Sequence, residues 1–196
     1  MSFRSRFVGG VAAGVAVALA VASLHGQQAR KVDNAMLLKP ADGDWVGYGR
    51  DYAETHHSPL TQIDQSNVSR LGIASSIEVG SEGKIETTPV VFNGVLYGTS
   101  TWGVVYAIDL RANKIKWQWD PVLVRGGFAA MGPRPCCGPV NRGVALYDGK
   151  VYVGLLDGRP VALDAQTGKP VWSVQTTTPN SDYTITGAPR IVKGKV

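Results

Sequence analysis

From Glu86 onward the chain repeats itself in a fixed register. One unit runs Pro89-Val-Val-Phe-Asn-Gly94-Val-Leu-Tyr-Gly98, then Val105-Tyr-Ala107-Ile-Asp109, then Trp117. The next runs Val144-Ala-Leu-Tyr-Asp-Gly149-Lys-Val-Tyr-Val-Gly154, then Val161-Ala162-Leu-Asp164 and Trp172, and a third opens at Ala188-Pro-Arg-Ile-Val-Lys-Gly194. Gly94 to Ala107 and Gly149 to Ala162 are both 13 residues; Ala107 to Trp117 and Ala162 to Trp172 are both 10. Each unit reads as strand, Asn-Gly or Asp-Gly hairpin turn, strand, third strand, turn and a fourth strand carrying Trp. Four short antiparallel strands in roughly 40–50 residues make a propeller blade, and a sandwich would not hold this register. The expected fold is therefore all-β, a β-propeller of four-stranded antiparallel blades, with about two to three blades in this chain. Trp117 and Trp172 read as inter-blade packing. Asp109 and Asp164 are expected to bond to the turn that follows each.

The register breaks in one place. Trp117 to Gly149 is 32 residues, whereas Trp172 to Gly194 is 22. The extra length lies in the loop 120–141, and a loop lengthened against a strict repeat points to function. It carries Gly132-Pro-Arg-Pro-Cys-Cys-Gly-Pro-Val-Asn-Arg-Gly143, with Cys136 and Cys137 the chain's two cysteines. Two adjacent thiolates make a poor zinc chelate. Two readings of the pair stand. They are free buried thiols that happen to be neighbours, or they are bridged in a very small strained ring that stabilises almost nothing and serves as a stiff, polarizable platform facing a ligand.

Polar residues recur just before the first strand of each unit. Glu86 lies eight residues before Gly94 and Thr186 eight before Gly194, while Asn141 and Arg142 lie eight and seven before Gly149. First strands line a propeller's channel, so these positions converge on an axial ligand, offering an acceptor, a fork of donors and a hydroxyl. The competing reading is that strand starts are simply polar.

The amino end reads as an export signal over residues 1–26, with the propeller portion over 27–196. Arg4 and Arg6 precede an uncharged Ala/Val/Gly run over 8–24, with Ala20 and Ala22 as small cleavage positions. The run is short and weakly apolar for a bilayer span, so an uncleaved anchor is the lesser reading and no span is expected after cleavage. No cysteine directly follows it to carry a lipid. Export places Cys136 and Cys137 in an oxidising compartment. The formal charge of +5 becomes +3 without Arg4 and Arg6, and no Lys/Arg run or basic-aromatic patch exists, which excludes nucleic acid as a partner. His56 and His57, beside Ser58-Pro59, read as solvated loop residues.

Several motifs together resemble the quinoprotein alcohol dehydrogenases, the family that uses pyrroloquinoline quinone (PQQ). They are Trp45-Val-Gly-Tyr-Gly-Arg-Asp-Tyr52, Ser58-Pro-Leu-Thr-Gln-Ile63, Glu86-Thr-Thr-Pro89, Cys136-Cys137 followed by Asn141-Arg142-Gly143, the Ala162-x-Asp164-Ala-x-Thr-Gly168 blade motif, and Thr184-Ile-Thr-Gly-Ala-Pro189. The resemblance implies an eight-bladed propeller with the quinone on its axis. It implies a vicinal disulfide of Cys136 and Cys137 stacked on one quinone face, and hydrogen bonds to the quinone from Glu86, Arg142 and Thr186. It implies periplasmic oxidation of small alcohols by hydride transfer to PQQ, with a calcium or lanthanide ion and an Asp base, and electrons passed to a cytochrome c. In the family the metal ligands, the catalytic Asp and the tryptophan on the other quinone face follow the Thr-Gly-Ala-Pro segment. The chain is accordingly expected to be an amino-terminal portion, catalytically inactive alone, with no catalytic or metal residue assigned within it. The alternatives are a non-catalytic propeller scaffold with PQQ-like repeats, which the cysteine pair disfavours, and a membrane-bound sugar dehydrogenase, which carries several spans before its propeller.

Overall fold

Three hairpin turns set the frame. Asn93-Gly94, Asp148-Gly149 and Lys193-Gly194 all have positive φ at both positions, 51° and 76°, 44° and 72°, 49° and 74°. That is the type I′ conformation, whose twist matches antiparallel strands, and glycine adopts its second position without a Cβ penalty. A computed structural model describes residues 30–81, 83–121, 138–178 and 183–196, and the elements below belong to the unit Lys31–Val196.

The strands β1 (Val90–Phe92), β2 (Val95–Thr99), β3 (Val105–Asp109) and β4 (Lys114–Trp119) form one antiparallel sheet in chain order. A second sheet repeats it with β5 (Ala145–Tyr147), β6 (Lys150–Gly154), β7 (Pro160–Asp164) and β8 (Pro170–Ser173). The third unit is present as the hairpin pair Val192 and Lys195. The chain is thus an all-β partial propeller, two four-stranded blades and the opening of a third.

The conserved spacing has a packing cause. Tyr97, Ala107 and Trp117 lie side by side across the first sheet, and Tyr152, Ala162 and Trp172 across the second. Each alanine is wholly buried and lets the flanking rings lean over it, with centroids 6.1 Å and 5.8 Å apart. Both sheets also shift register at the same point, after Ala107 and after Ala162. Such a bulge strengthens the local twist.

Trp117 is the seam between blades. Its indole Nε1 donates to the Ala165 carbonyl at 3.0 Å, and its ring lies on Gly168, where a Cβ would stand 2.6 Å from it. Trp172 occupies the equivalent place and is half-buried against Tyr152 of its own blade. The turns before both tryptophans are tied as expected. The Asp109 carboxylate accepts from the Arg111 and Ala112 amides at 2.9 and 2.8 Å, and Asp164 accepts from the Gln166 and Thr167 amides at 3.1 and 2.9 Å and the Thr167 hydroxyl at 2.8 Å. These bonds hold both carboxyls below their usual range, the Ala112 amide being the main cause at Asp109 and the Thr167 hydroxyl at Asp164.

The segment before the repeats lacks a period but is not idle. A short helix α1 (Asn34–Leu38) is capped by Asp33, whose Oδ1 accepts from the Met36 amide at 2.8 Å. The Val32 carbonyl then receives the Asp148 amide at 2.8 Å, in the second blade's turn. Trp45 exchanges two backbone bonds with Val91, at 2.8 and 2.7 Å, and Asp44 Oδ1 accepts from the Asn93 amide at 2.9 Å, in the first blade. The Tyr52 hydroxyl donates to the Ile191 carbonyl, and Glu54 pairs with Arg190 at 2.8 Å, in the third unit. One strap therefore ties three hairpins, with Val32, Leu37 and Val46 sunk into the shared core. His56 and His57 are exposed, and His56 rests edge-on against Tyr48 at 5.5 Å. No helix among the described residues is long and apolar enough to cross a membrane.

Candidate functional site

The strap holds the hairpin ends of the first strands; the polar lead-in residues lie at their other ends. There the three units are stitched sideways through the backbone. The Thr88 amide donates to the Arg142 carbonyl at 3.2 Å, and the Arg142 amide donates to the Thr186 carbonyl at 2.9 Å. Arg142 is therefore the central link between the first and third units.

The side chains meet as well. Arg142 Nη2 lies 3.1 Å from Glu86 Oε2, and Arg142 Nη1 donates to Thr186 Oγ1 at 2.7 Å. The sequence analysis singled out Glu86, Arg142 and Thr186 on three different units, and the structure brings all three into one cluster. The Arg142 side chain is 44% exposed and that of Glu86 35%. An ion pair this open contributes only about 0–1 kcal/mol to folding. Its interest is chemical: a guanidinium has five N–H donors, two of which these contacts engage, and it faces solvent. A carboxylate can approach such a fork bidentately, with a hydroxyl and a carboxylate beside it as further partners.

Cys136 and Cys137 lie outside the described residues. Among the described residues no three His, Cys, Asp or Glu side chains gather as a metal-ligand group.

The spacing alone placed Asn141 and Arg142 together, and only the resemblance singled out Arg142. The backbone separates them. In an extended lead-in neighbouring side chains face opposite ways, and Asn141 points inward. It is 2% exposed, its Nδ2 donates to the Gly154 carbonyl at 2.8 Å, and its Oδ1 accepts from the Gly143 amide at 3.1 Å. Its own carbonyl accepts from Thr99 Oγ1 at 3.2 Å, and Thr99 is itself bonded by its amide to Thr87 Oγ1 at 3.0 Å. Thr87 stood in the Glu86-Thr-Thr-Pro89 motif without a role of its own, and Thr99 carried no distinguishing signal in the sequence. Gly143 has φ +124°, and a Cβ there would stand 2.8 Å from the Thr88 carbonyl, so the lead-ins approach this closely only with glycine.

Residues 45–174, well over half of the chain, match the PQQ family model described as glucose/ethanol/alcohol dehydrogenase, beta-propeller domain. The chain belongs to this family. It is 48% identical over 167 residues to the quinohemoprotein alcohol dehydrogenase ADH IIB of Pseudomonas putida, covering 84% of this chain and 24% of that protein. It is 48% identical over 157 residues to the 1-butanol dehydrogenase (cytochrome c) of Thauera butanivorans, covering 80% of this chain and 22% of that protein. Among solved structures, the quinohemoprotein alcohol dehydrogenase ADHIIG of Pseudomonas putida superposes with a TM-score of 0.77 at 45% identity, over 84% of this chain and 24% of that one. A europium-containing methanol dehydrogenase superposes with a TM-score of 0.70 at 38% identity, over 82% of this chain and 28% of that one. The chain thus spans about a quarter of the length of the PQQ relatives it matches.

Proposed function

We propose that this chain is a quinone-binding portion of a periplasmic, PQQ-dependent alcohol dehydrogenase. The observation that carries the reading is the junction at Arg142, where one guanidinium reaches Glu86 on the preceding unit and Thr186 on the following one. A donor fork flanked by an acceptor and a hydroxyl fits a rigid ring bearing carboxylates and carbonyls. In this reading Arg142 and Thr186 hold carboxylate and carbonyl oxygens, Glu86 keeps the guanidinium oriented and accepts from the ligand's ring N–H, and bridged Cys136 and Cys137 form the platform beneath. The chemistry supplied by the bound quinone is acceptance of a hydride from a small alcohol, with calcium or a lanthanide as Lewis acid. Residues 1–26 direct export, and electrons leave to a cytochrome c, as the name of the Thauera relative suggests for that enzyme.

The test is direct binding. Titration of PQQ into the protein, followed by quenching of tryptophan fluorescence, is expected to saturate, and Arg142→Ala is expected to weaken binding by about 10–100-fold, corresponding to loss of one charge-assisted contact of about 1.5–3 kcal/mol. Equal affinity of the variant and the wild type removes Arg142 from the site. The cysteines have their own readout. The exported protein is expected to show no free thiol before mild reduction and two after it, and two thiols without reductant defeat the bridged pair.

A further inference from the structure

We propose that Asn141 is the positioning residue that aims Arg142 into the ligand site. This rests on the reading of Arg142 as a quinone-binding residue. Arg142 is exposed, and its reach to Glu86 and Thr186 starts from the backbone beneath it. That backbone is held at one buried knot. The Asn141 amide is 2% exposed and spends both of its ends on the main chain, one on the Gly154 carbonyl at the end of β6 and one on the Gly143 amide. The neighbouring Val153 is wholly buried, so this end of β6 is packed into the core. The Asn141 carbonyl takes the Thr99 hydroxyl from the first blade. Asn141 thereby ties the lead-in of the second blade both to its own sheet and to the sheet before it. The residue pinned in between, with backbone bonds to Thr88 and Thr186 on either side, is Arg142.

Truncating Asn141 leaves the Gly154 carbonyl and the Gly143 amide buried without these partners, and the lead-in relaxes to satisfy them elsewhere. The guanidinium then loses its fixed origin although every atom of it remains. Glu86 and Thr186 are untouched by the change.

The experiment compares Asn141→Ala, Arg142→Ala, the double variant and Leu163→Ala in the whole protein. Leu163 is wholly buried in β7 and serves as a purely structural loss. Asn141→Ala is expected to weaken PQQ about tenfold, the size by which partners of ligating groups commonly tune a site. The double variant is expected to bind no worse than Arg142→Ala alone, because Asn141 acts through Arg142. Leu163→Ala is expected to lower the melting temperature without changing affinity. Hydrogen exchange of the Thr88 and Arg142 amides is expected to quicken in Asn141→Ala while that of β7 does not. Unchanged affinity, or losses that simply add in the double variant, overturns the proposal. Should the wild type not bind PQQ, the quinone reading falls, and amide exchange decides the positioning claim: unchanged protection at Thr88 and Arg142 overturns it. If the alanine variant does not fold, Asn141→Asp replaces it, keeping the acceptor for Gly143 and losing the donor to Gly154.

Discussion

Tyr97 shows how one side chain closes the seam between blades. It is 6% exposed, its hydroxyl donates to the Ala165 carbonyl at 3.4 Å, and its ring leans on Trp117, which donates to the same carbonyl. Burial pushes its phenol up to about 12, and the Asp164 carboxylate adds to the rise. A group whose folded pKa lies above its unfolded value of about 10 contributes its full stability below pH 10. That contribution falls as the pH climbs from about 10 to about 12, because the unfolded chain ionises first. Its size is on the order of 2–3 kcal/mol. Thermal melts at stepwise alkaline pH are expected to show a falling midpoint in this window. Tyr97→Phe, which cannot ionise, is expected to be less sensitive to the same pH change. Tyr152 and Tyr52 are raised as well, by burial first, so the variant reduces the slope and does not abolish it. A slope identical to wild type would mean that Tyr97 ionises as freely in the fold as outside it.

The blades were legible in the sequence because their signals are local and repeated. Asn93-Gly94 and Asp148-Gly149 demand positive φ, Asp109 and Asp164 bond to amides two and three residues on, and the equal intervals set Ala107 beside Trp117 and Ala162 beside Trp172. The lead-in positions were legible for the same reason: offsets of eight, seven and eight residues from three turns bring Glu86, Arg142 and Thr186 close to one level. What the repeat does not encode stayed hidden. The register shifts after Ala107 and Ala162 depend on how two strands pair, and spacing along one strand does not report them. The division of labour between Asn141 and Arg142 follows from which face of an extended strand meets the core. Alternation fixes that they differ, and only the fold fixes which one turns inward. Thr99 reaches Asn141 across 42 residues of chain, and a lone threonine in a strand gives no hint of such a partner.

The strap is one of the features that join separate blades. Blades built from consecutive strands are locally satisfied, so cooperation among them requires contacts that cross units. Trp117 supplies one seam, and the strap from Lys31 to Glu54 supplies a bond to each of three hairpins. Its polar contacts are not equal in weight. The Glu54–Arg190 pair is 39% and 48% exposed, so Glu54→Ala with Arg190→Ala is expected to cost at most about 1 kcal/mol and to shift the melt by a few degrees. The buried anchors are another matter. Val46 is 2% exposed, Val32 3% and Leu37 6%, and their combined truncation to alanine leaves cavities against both sheets. Each such truncation costs about 1–5 kcal/mol, enough together to remove most of a small domain's stability. The triple variant is therefore expected to lose its single sharp transition and to expose the hairpin amides of Asn93 and Asp148 to solvent exchange before those of β3 and β7. A single transition at the wild-type midpoint would mean that the seam at Trp117 and the lead-in bonds at Arg142 couple the blades and that the strap merely lies on them.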